Sequence, residues 1–245
     1  MPFGKRPVTN DPIPQHDPPY SNQVPDFSDV TILTIRYRTS YASISNLIPD
    51  VLEVDEEPLV TATLLDYGVA PAGPFKELIH TVEAKYRGKT YEFCLSLILD
   101  LEAGLLAGRE PTGFPKRLGR LSLNPSTTAT TTGHVERPVG QTFVNFSFDA
   151  KTKQSKPAKL DKPFLNLRVI PSPVAGAEPS VKDLVPVDFE LRPKEAWDGV
   201  GRLSFPENAP QTEPVNKMDV LRYEGASLAF GTAAVLHPSK EVFTL

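Results

Sequence analysis

A single cysteine, one tryptophan and two methionines among 245 residues leave this chain little redox or soft-ligand chemistry. One thiol closes no intrachain disulfide and supplies no thiolate set for a structural zinc. Cys94 stands inside an apolar run, so it reads as a buried core thiol. Also missing is any apolar stretch near the roughly 20 residues that a membrane-spanning helix requires. No hydrophobic signal core follows Lys5-Arg6, and a cytoplasmic location is expected. The formal net charge of −4 lacks the basic excess that binds nucleic acid or an anionic membrane surface. The four histidines, His16, His80, His134 and His237, are far apart and show no metal-ligand spacing. Phosphate loops, Gly-x-Ser-x-Gly elbows and dinucleotide fingerprints are absent as well. One glycosylation sequon, Asn145-Phe146-Ser147, stands without any other sign of secretion.

What the chain does have is proline, 26 of them. Pro2, Pro7, Pro12, Pro14, Pro18, Pro19 and Pro25 fall within the first 25 residues, which forbids helix and central strand there. Residues 1–25 are therefore expected to be an extended arm, either disordered or laid over a neighbouring subunit. Residues 26–245 are expected to form one folded domain. Within it, β-branched and alternating runs predict strands over 30–38, 59–67, 79–86, 90–101, 142–148, 165–170, 188–191, 201–205 and 226–236. Arg87-Gly88-Lys89 reads as a hairpin turn, and 41–47 as a short helix closed by Pro49. The threonine-rich stretch 127–132 is read as a strand on its β-branching. In 165–169 the odd positions are apolar, while Asn166 and Arg168 face the other way. Trp197 is expected in the core. Many short strands, frequent turns and little helix predict a mainly β (β-rich α+β) fold, a single-domain sandwich or barrel-like structure.

The chemistry concentrates at Gly108-Arg109-Glu110-Pro111-Thr112-Gly113-Phe114-Pro115-Lys116-Arg117. A lysine becomes a covalent nucleophile only when its ammonium sheds a proton near neutral pH, far below the usual value of about 10.4. An apolar pocket and a fixed neighbouring cation both favour that. Phe114, Pro115 and Leu118 are apolar neighbours in sequence, and Arg117 is a cation that cannot deprotonate. The common alternative is a solvated Lys-Arg pair.

This segment resembles the signature of the acetoacetate decarboxylase family: Gly-Arg-Glu, a short turn, an aromatic-Pro, then Lys-Lys or Lys-Arg. The resemblance extends to Tyr37-Arg38-Thr39, Ile48-Pro49, Leu52-Glu53 and Pro58-Leu59-Val60 upstream. Downstream it takes in Glu195-Ala196-Trp197-Asp198-Gly199, Arg202-Leu203, Ala209-Pro210 and Pro214-Val215. It implies a closed β-fold around an internal apolar pocket, a homo-oligomer, a small keto substrate and no cofactor or metal. Lys116 would form a Schiff base, Arg117 would modulate its basicity, and Glu77 would be a polar partner in the pocket. Phe114 would line that pocket. Arg109 and Glu110 could touch substrate or brace the lysine loop as a pair, and Arg38 could compensate for a missing substrate-binding arginine. Two departures stand out: the family's further arginine and second glutamate fall near Val30 and Thr63 here. The implied substrate is therefore a β-keto acid larger or more apolar than acetoacetate. An aldolase or dehydratase using the same imine is the nearest competitor. A non-catalytic small-ligand module on the same fold is a second.

Overall fold

The structure is a computed structural model that describes every residue except 2, 158–162, 208 and 210–212, so Pro2 and Pro210 lie outside the described residues. In chain order the strands are β1 (Asp26–Arg38), β2 (Leu59–Val69), β3 (Phe75–Tyr86), β4 (Lys89–Leu99), β5 (Lys116–Leu118), β6 (Arg120–Asn124) and β7 (Thr131–Glu136). They continue as β8 (Thr142–Lys153), β9 (Phe164–Ile170), β10 (Val181–Val187), β11 (Phe189–Arg192), β12 (Glu195–Ser204), β13 (Arg222–Leu236) and β14 (Phe243–Thr244). Two helices, α1 (Tyr41–Ile44) and α2 (Glu102–Thr112), interrupt them. The fold is mainly β, as the strand periodicity predicts.

One sheet holds the molecule together, in the order β14-β10-β9-β4-β3-β2-β1-β13-β12-β8-β7-β6, with β11 on β13 and β5 on β4. The pairings are antiparallel except β4 with β5 and β4 with β9. At the β3–β4 turn, Arg87 and Gly88 both take positive φ (50° and 77°), the twist a two-residue hairpin favours. The long strands β1–β4 are buried on both faces, which is why their sequences run apolar rather than cleanly alternating. On one face Leu33, Ile35, Tyr37, Leu64, Leu78 and Ile98 pack against Leu121, Val135, Phe143, Phe146 and Phe148 from β6–β8. On the other, Val30, Ile32, Leu65, Tyr67, Ile79 and Leu97 meet Phe164, Val185, Val187 and Phe189 from β9–β11. The sheet thus curls in two opposite senses from its central strands and closes a core on each side.

Three expectations need correction. The 127–130 stretch is a bend, not a strand, and β7 begins only at Thr131. Ser126 Oγ accepts from the amides of Thr128 and Ala129, and the Thr131 hydroxyl donates to the Ser126 carbonyl. Side-chain oxygens that satisfy the local backbone favour a turn over a ladder. Trp197 is half-buried rather than core: Lys153 Nζ lies 5.6 Å from its ring centroid, and its indole N–H donates to Glu195. The strand expected to reach residue 101 stops at Leu99, and a helix follows from Glu102. That helix, unforeseen, covers the polar face of β9. Asn166 Nδ2 donates to the Thr112 carbonyl and Arg168 Nε to the Glu110 carbonyl, and Asn166 is fully buried beneath the helix.

Candidate active site

The lysine loop is built by α2 and the turn after it. The helix carries Glu102 in its first turn, a favourable placement against the helix dipole. It ends at Gly113, which takes φ 72°; any Cβ there would strike Arg168 at 2.5 Å. The amide of Phe114 reaches back to the Gly108 carbonyl, and the amide of Lys116 to the Phe114 carbonyl across Pro115. Lys116 then enters β5, opposite Leu97 of β4. Alternation along a strand sends neighbouring side chains to opposite faces, and that decides the roles of the Lys-Arg pair.

Lys116 turns into the core of β9–β11 and is 9 % exposed. Its Nζ donates to Glu77 Oε2 at 2.9 Å and to the Gly104 carbonyl at 3.1 Å. Glu77 lies on β3 opposite Leu65 and Leu99, also buried, and accepts from the Tyr67 hydroxyl at 3.2 Å. The result is a closed Tyr67–Glu77–Lys116 chain of polar groups. Burial first, and Glu77 second, hold the Tyr67 phenol well above its ordinary range, so it stays a donor to the carboxylate. Cys94 is buried nearby, and its thiol is likewise raised by burial first and Glu77 next. The neighbouring Lys76 points away from this chain and pairs with Asp66.

Aromatic rings wall the site. Phe114 sits 5.7 Å from Lys116 Nζ and makes an edge contact with Phe164, while Phe75 stacks on Tyr67 at 4.3 Å. These groups enclose a cavity of about 30 Å³ with Phe27, Ile79, Leu97, Phe189 and Leu236. A second cavity of about 680 Å³ opens above it, and Lys116 lines both. Among the described residues, Lys116 is the sole cation of the inner cavity.

The other expected site residues fall elsewhere. Arg117 points to the opposite face and donates to Glu213 Oε2 at 2.6 Å and to Ser96 Oγ at 3.0 Å. Glu213, fully buried, is also gripped by Arg137 at 2.7 Å. From the far side of the strand, Arg117 thus ties the lysine strand to Ser96 and Glu213. Arg109 and Glu110 do not pair and line neither cavity. Arg109 donates to the Lys116 carbonyl at 3.2 Å, and Glu110 accepts from Tyr20 at 2.6 Å. Arg38 also lines neither cavity; it donates to Glu224 and to the Glu57 carbonyl. Leu118 is 46 % exposed and desolvates nothing. Val30 is buried with the core on the cavity face, and Thr63 is half-buried on β2.

Several site residues had no part in the sequence reading. Tyr67 could have been found from the β2–β3 register, because the pairing of Tyr67 with Phe75 sets it diagonal to Glu77. Gly104 and Gly108 carried a visible signal, the four-residue spacing that puts both on one helix face. A Cβ on Gly108 would lie 2.4 Å from Lys116 Cε, so the helix must be bare there for the lysine to pass. Glu213 carried no local signal at all.

The chain was also compared with known proteins. Residues 6–239 match the family model "Acetoacetate decarboxylase (ADC)". A relative from Cochliobolus heterostrophus named "Decarboxylase DEC1" is 43 % identical over 225 residues, covering 89 % of this chain and 88 % of that protein. The crystal structure of acetoacetate decarboxylase from Legionella pneumophila superposes with a TM-score of 0.80 at 21 % identity, covering 99 % and 98 % of the two chains. The enduracididine biosynthesis enzyme MppR, complexed with the condensation product of pyruvate and imidazole 4-carboxaldehyde, superposes at 0.79 with 16 % identity over 99 % of each chain.

Proposed function

The chain belongs to the acetoacetate decarboxylase family, and on that premise we propose that it decarboxylates a β-keto acid through an iminium formed at Lys116. It is a carbon–carbon lyase of the decarboxylase kind. The observation that carries the lysine reading is a buried amine lining an aromatic cavity, 2.9 Å from a buried carboxylate.

In this reading Nζ attacks the ketone carbon, and Glu77 takes the proton that the amine must lose. Loss of water from the carbinolamine leaves a protonated imine. The electrons of the bond to the carboxyl carbon then flow into the imine, carbon dioxide departs, and an enamine remains. Protonation at carbon and hydrolysis return the ketone and the amine. No cofactor is needed, because the iminium is itself the electron sink. Decarboxylation suits the cavity walls: a substrate carboxylate lying against Phe114, Phe164 and Phe189 has Lys116 as its sole cation among the described cavity residues. Leaving as neutral carbon dioxide removes a charge from an apolar setting that penalises it. Val30 in place of the family's extra arginine favours a more apolar acid than acetoacetate.

A second reading has one specific support, the MppR structure with a condensation product bound; it would have the same imine serve an aldolase or dehydratase. Borohydride reduction in the presence of β-keto acids, followed by peptide mapping, tests the shared step. A substrate-sized adduct at Lys116, dependent on reductant, is expected together with carbon dioxide release. An adduct without carbon dioxide would favour the second reading. No adduct on a folded protein across the panel would overturn both.

A further inference from the structure

The arm does not trail away from the domain. Pro25 accepts from the amide of Leu236 on β13, and the preceding residues run across the mouth of the site. Tyr20 fastens them there: its hydroxyl donates to Glu110 Oε2 on α2 at 2.6 Å. Partial burial, then the Glu110 bond, hold that phenol above its ordinary range, so the fastening keeps its proton throughout the neutral region. Between arm and helix lies the cavity of about 680 Å³, within the range of sites that enclose a small organic ligand. The inner cavity, about 30 Å³, is far too small for an acyl tail. Phe27, Phe75, Lys116 and Leu236 line both, so the two are one continuous space with the amine at the neck. Its walls include Pro18, Pro19, Val24, Ala70, Ala103 and Ala107; Arg6, Asp11 and His16 also line it, all from the arm.

We propose that residues 11–25 are the specificity element of this enzyme: an in-chain roof, latched by Tyr20 to Glu110, that receives the uncharged acyl tail of a long-chain β-keto acid reacting at Lys116. This rests on the lysine reading above and adds where the tail goes and what selects it. A ketone carbon at the neck sends its short end into the inner cavity and its tail under the arm. Where Pro, Val and Ala line it the space rewards methylenes, with Arg6, Asp11 and His16 on its arm side.

The test is a chain-length series of 3-oxo acids from acetoacetate to 3-oxododecanoate, measured on the full chain. For the native protein kcat/KM is expected to climb about three- to fourfold per methylene until the roofed space is filled. Ala103→Phe, which fills the space from the half-buried face of α2, should flatten the climb, and Tyr20→Ala, which unlatches the roof, should lower its slope. Thermal unfolding confirms that each variant is folded. A flat or falling series in the native protein, or an undiminished slope in both variants, would overturn the proposal. Borohydride trapping on the same samples separates the two levels. Lys116 adducts without a chain-length slope sink the tail proposal alone; no adduct with any acid sinks the lysine reading and this inference together.

Discussion

The two faces of β1–β4 are made by alternate residues of the same strands, yet they do opposite things. Toward β6–β8 the face is apolar and interlocked: Leu33, Ile35, Leu64, Phe143 and Phe148 are each fully buried, and that core serves as scaffold. Toward β9–β11 the face holds a void, a buried Lys–Glu pair and a phenol. Burying such a pair contributes little net stability, because desolvating both charges offsets their attraction. A cavity also forfeits the contacts that its lining would otherwise make. The difference teaches where stability and reactivity reside. One face can accept a hole and two charges because the other is solid. Mutations should therefore separate cleanly, with activity lost on one side and stability on the other.

The sharpest break is Lys116→Arg. It keeps the charge beside Glu77 but cannot form an imine, so kcat should fall at least about 10⁴-fold, as when a covalent nucleophile is removed. Steady-state carbon dioxide release measures it. Thermal unfolding should move little, because the ion pair is kept. If the variant instead unfolds, the cavity face carries more of the stability than this comparison allows.

The converse variant is Phe143→Ala, on the solid face. It should cost about 3–5 kcal/mol in denaturant unfolding. Activity per folded molecule should stay that of the native enzyme, since Phe143 is separated from the cavity by the sheet. A drop in kcat for the folded fraction would show that the two faces are mechanically coupled.

His80 sharpens the comparison through pH. It is fully buried on β3, and neither ring nitrogen has a hydrogen-bond partner among the described residues. Burial alone pulls its value down from 6.5 to about 4. The sign follows from which state binds the proton. Above pH 6.5 the ring is neutral both folded and unfolded, and its titration contributes nothing. Between 6.5 and 4 the unfolded chain takes up a proton that the folded one refuses, so stability falls as pH falls, by about 3 kcal/mol across the window. Denaturant midpoints from pH 7.5 to 4 should show the slope, and His80→Leu should remove that part of it. Equal slopes in the two proteins would refute the assignment.

How much of this was legible beforehand depended on the range of the interaction. Central strands such as β1 and β2 were readable because β-branched runs report their own burial. The lysine was readable because its motif is contiguous. What escaped had its cause elsewhere in the chain. Helix α2 was hidden because 102–112 carries a proline and two glycines, poor local helix signals; the glycines are there for Lys116 to pass. The separation of Arg117 from Lys116 was not legible in the dipeptide, because a strand sends neighbouring side chains to opposite faces. Arg109 and Glu110 were expected to pair, and each instead holds something distant: the lysine's own backbone and the arm. The arm's position could not be read from proline content, which specifies extension but no destination.

The smallest effect belongs to Tyr67→Phe. The ring keeps its stacking on Phe75, so the solid packing of that corner is unchanged and only the hydroxyl is lost. Glu77 would keep its bond from Lys116 and lose one donor on its other oxygen. A hydrogen bond to a charged acceptor is worth about 1.5–3 kcal/mol, and at 3.2 Å this one belongs at the low end. If the phenol serves to hold Glu77 aimed at the amine, kcat/KM should drop roughly tenfold. Thermal unfolding should hardly change. A loss of stability with an unchanged kcat/KM would assign Tyr67 to the wall of the cavity and leave Glu77 held by Lys116 alone.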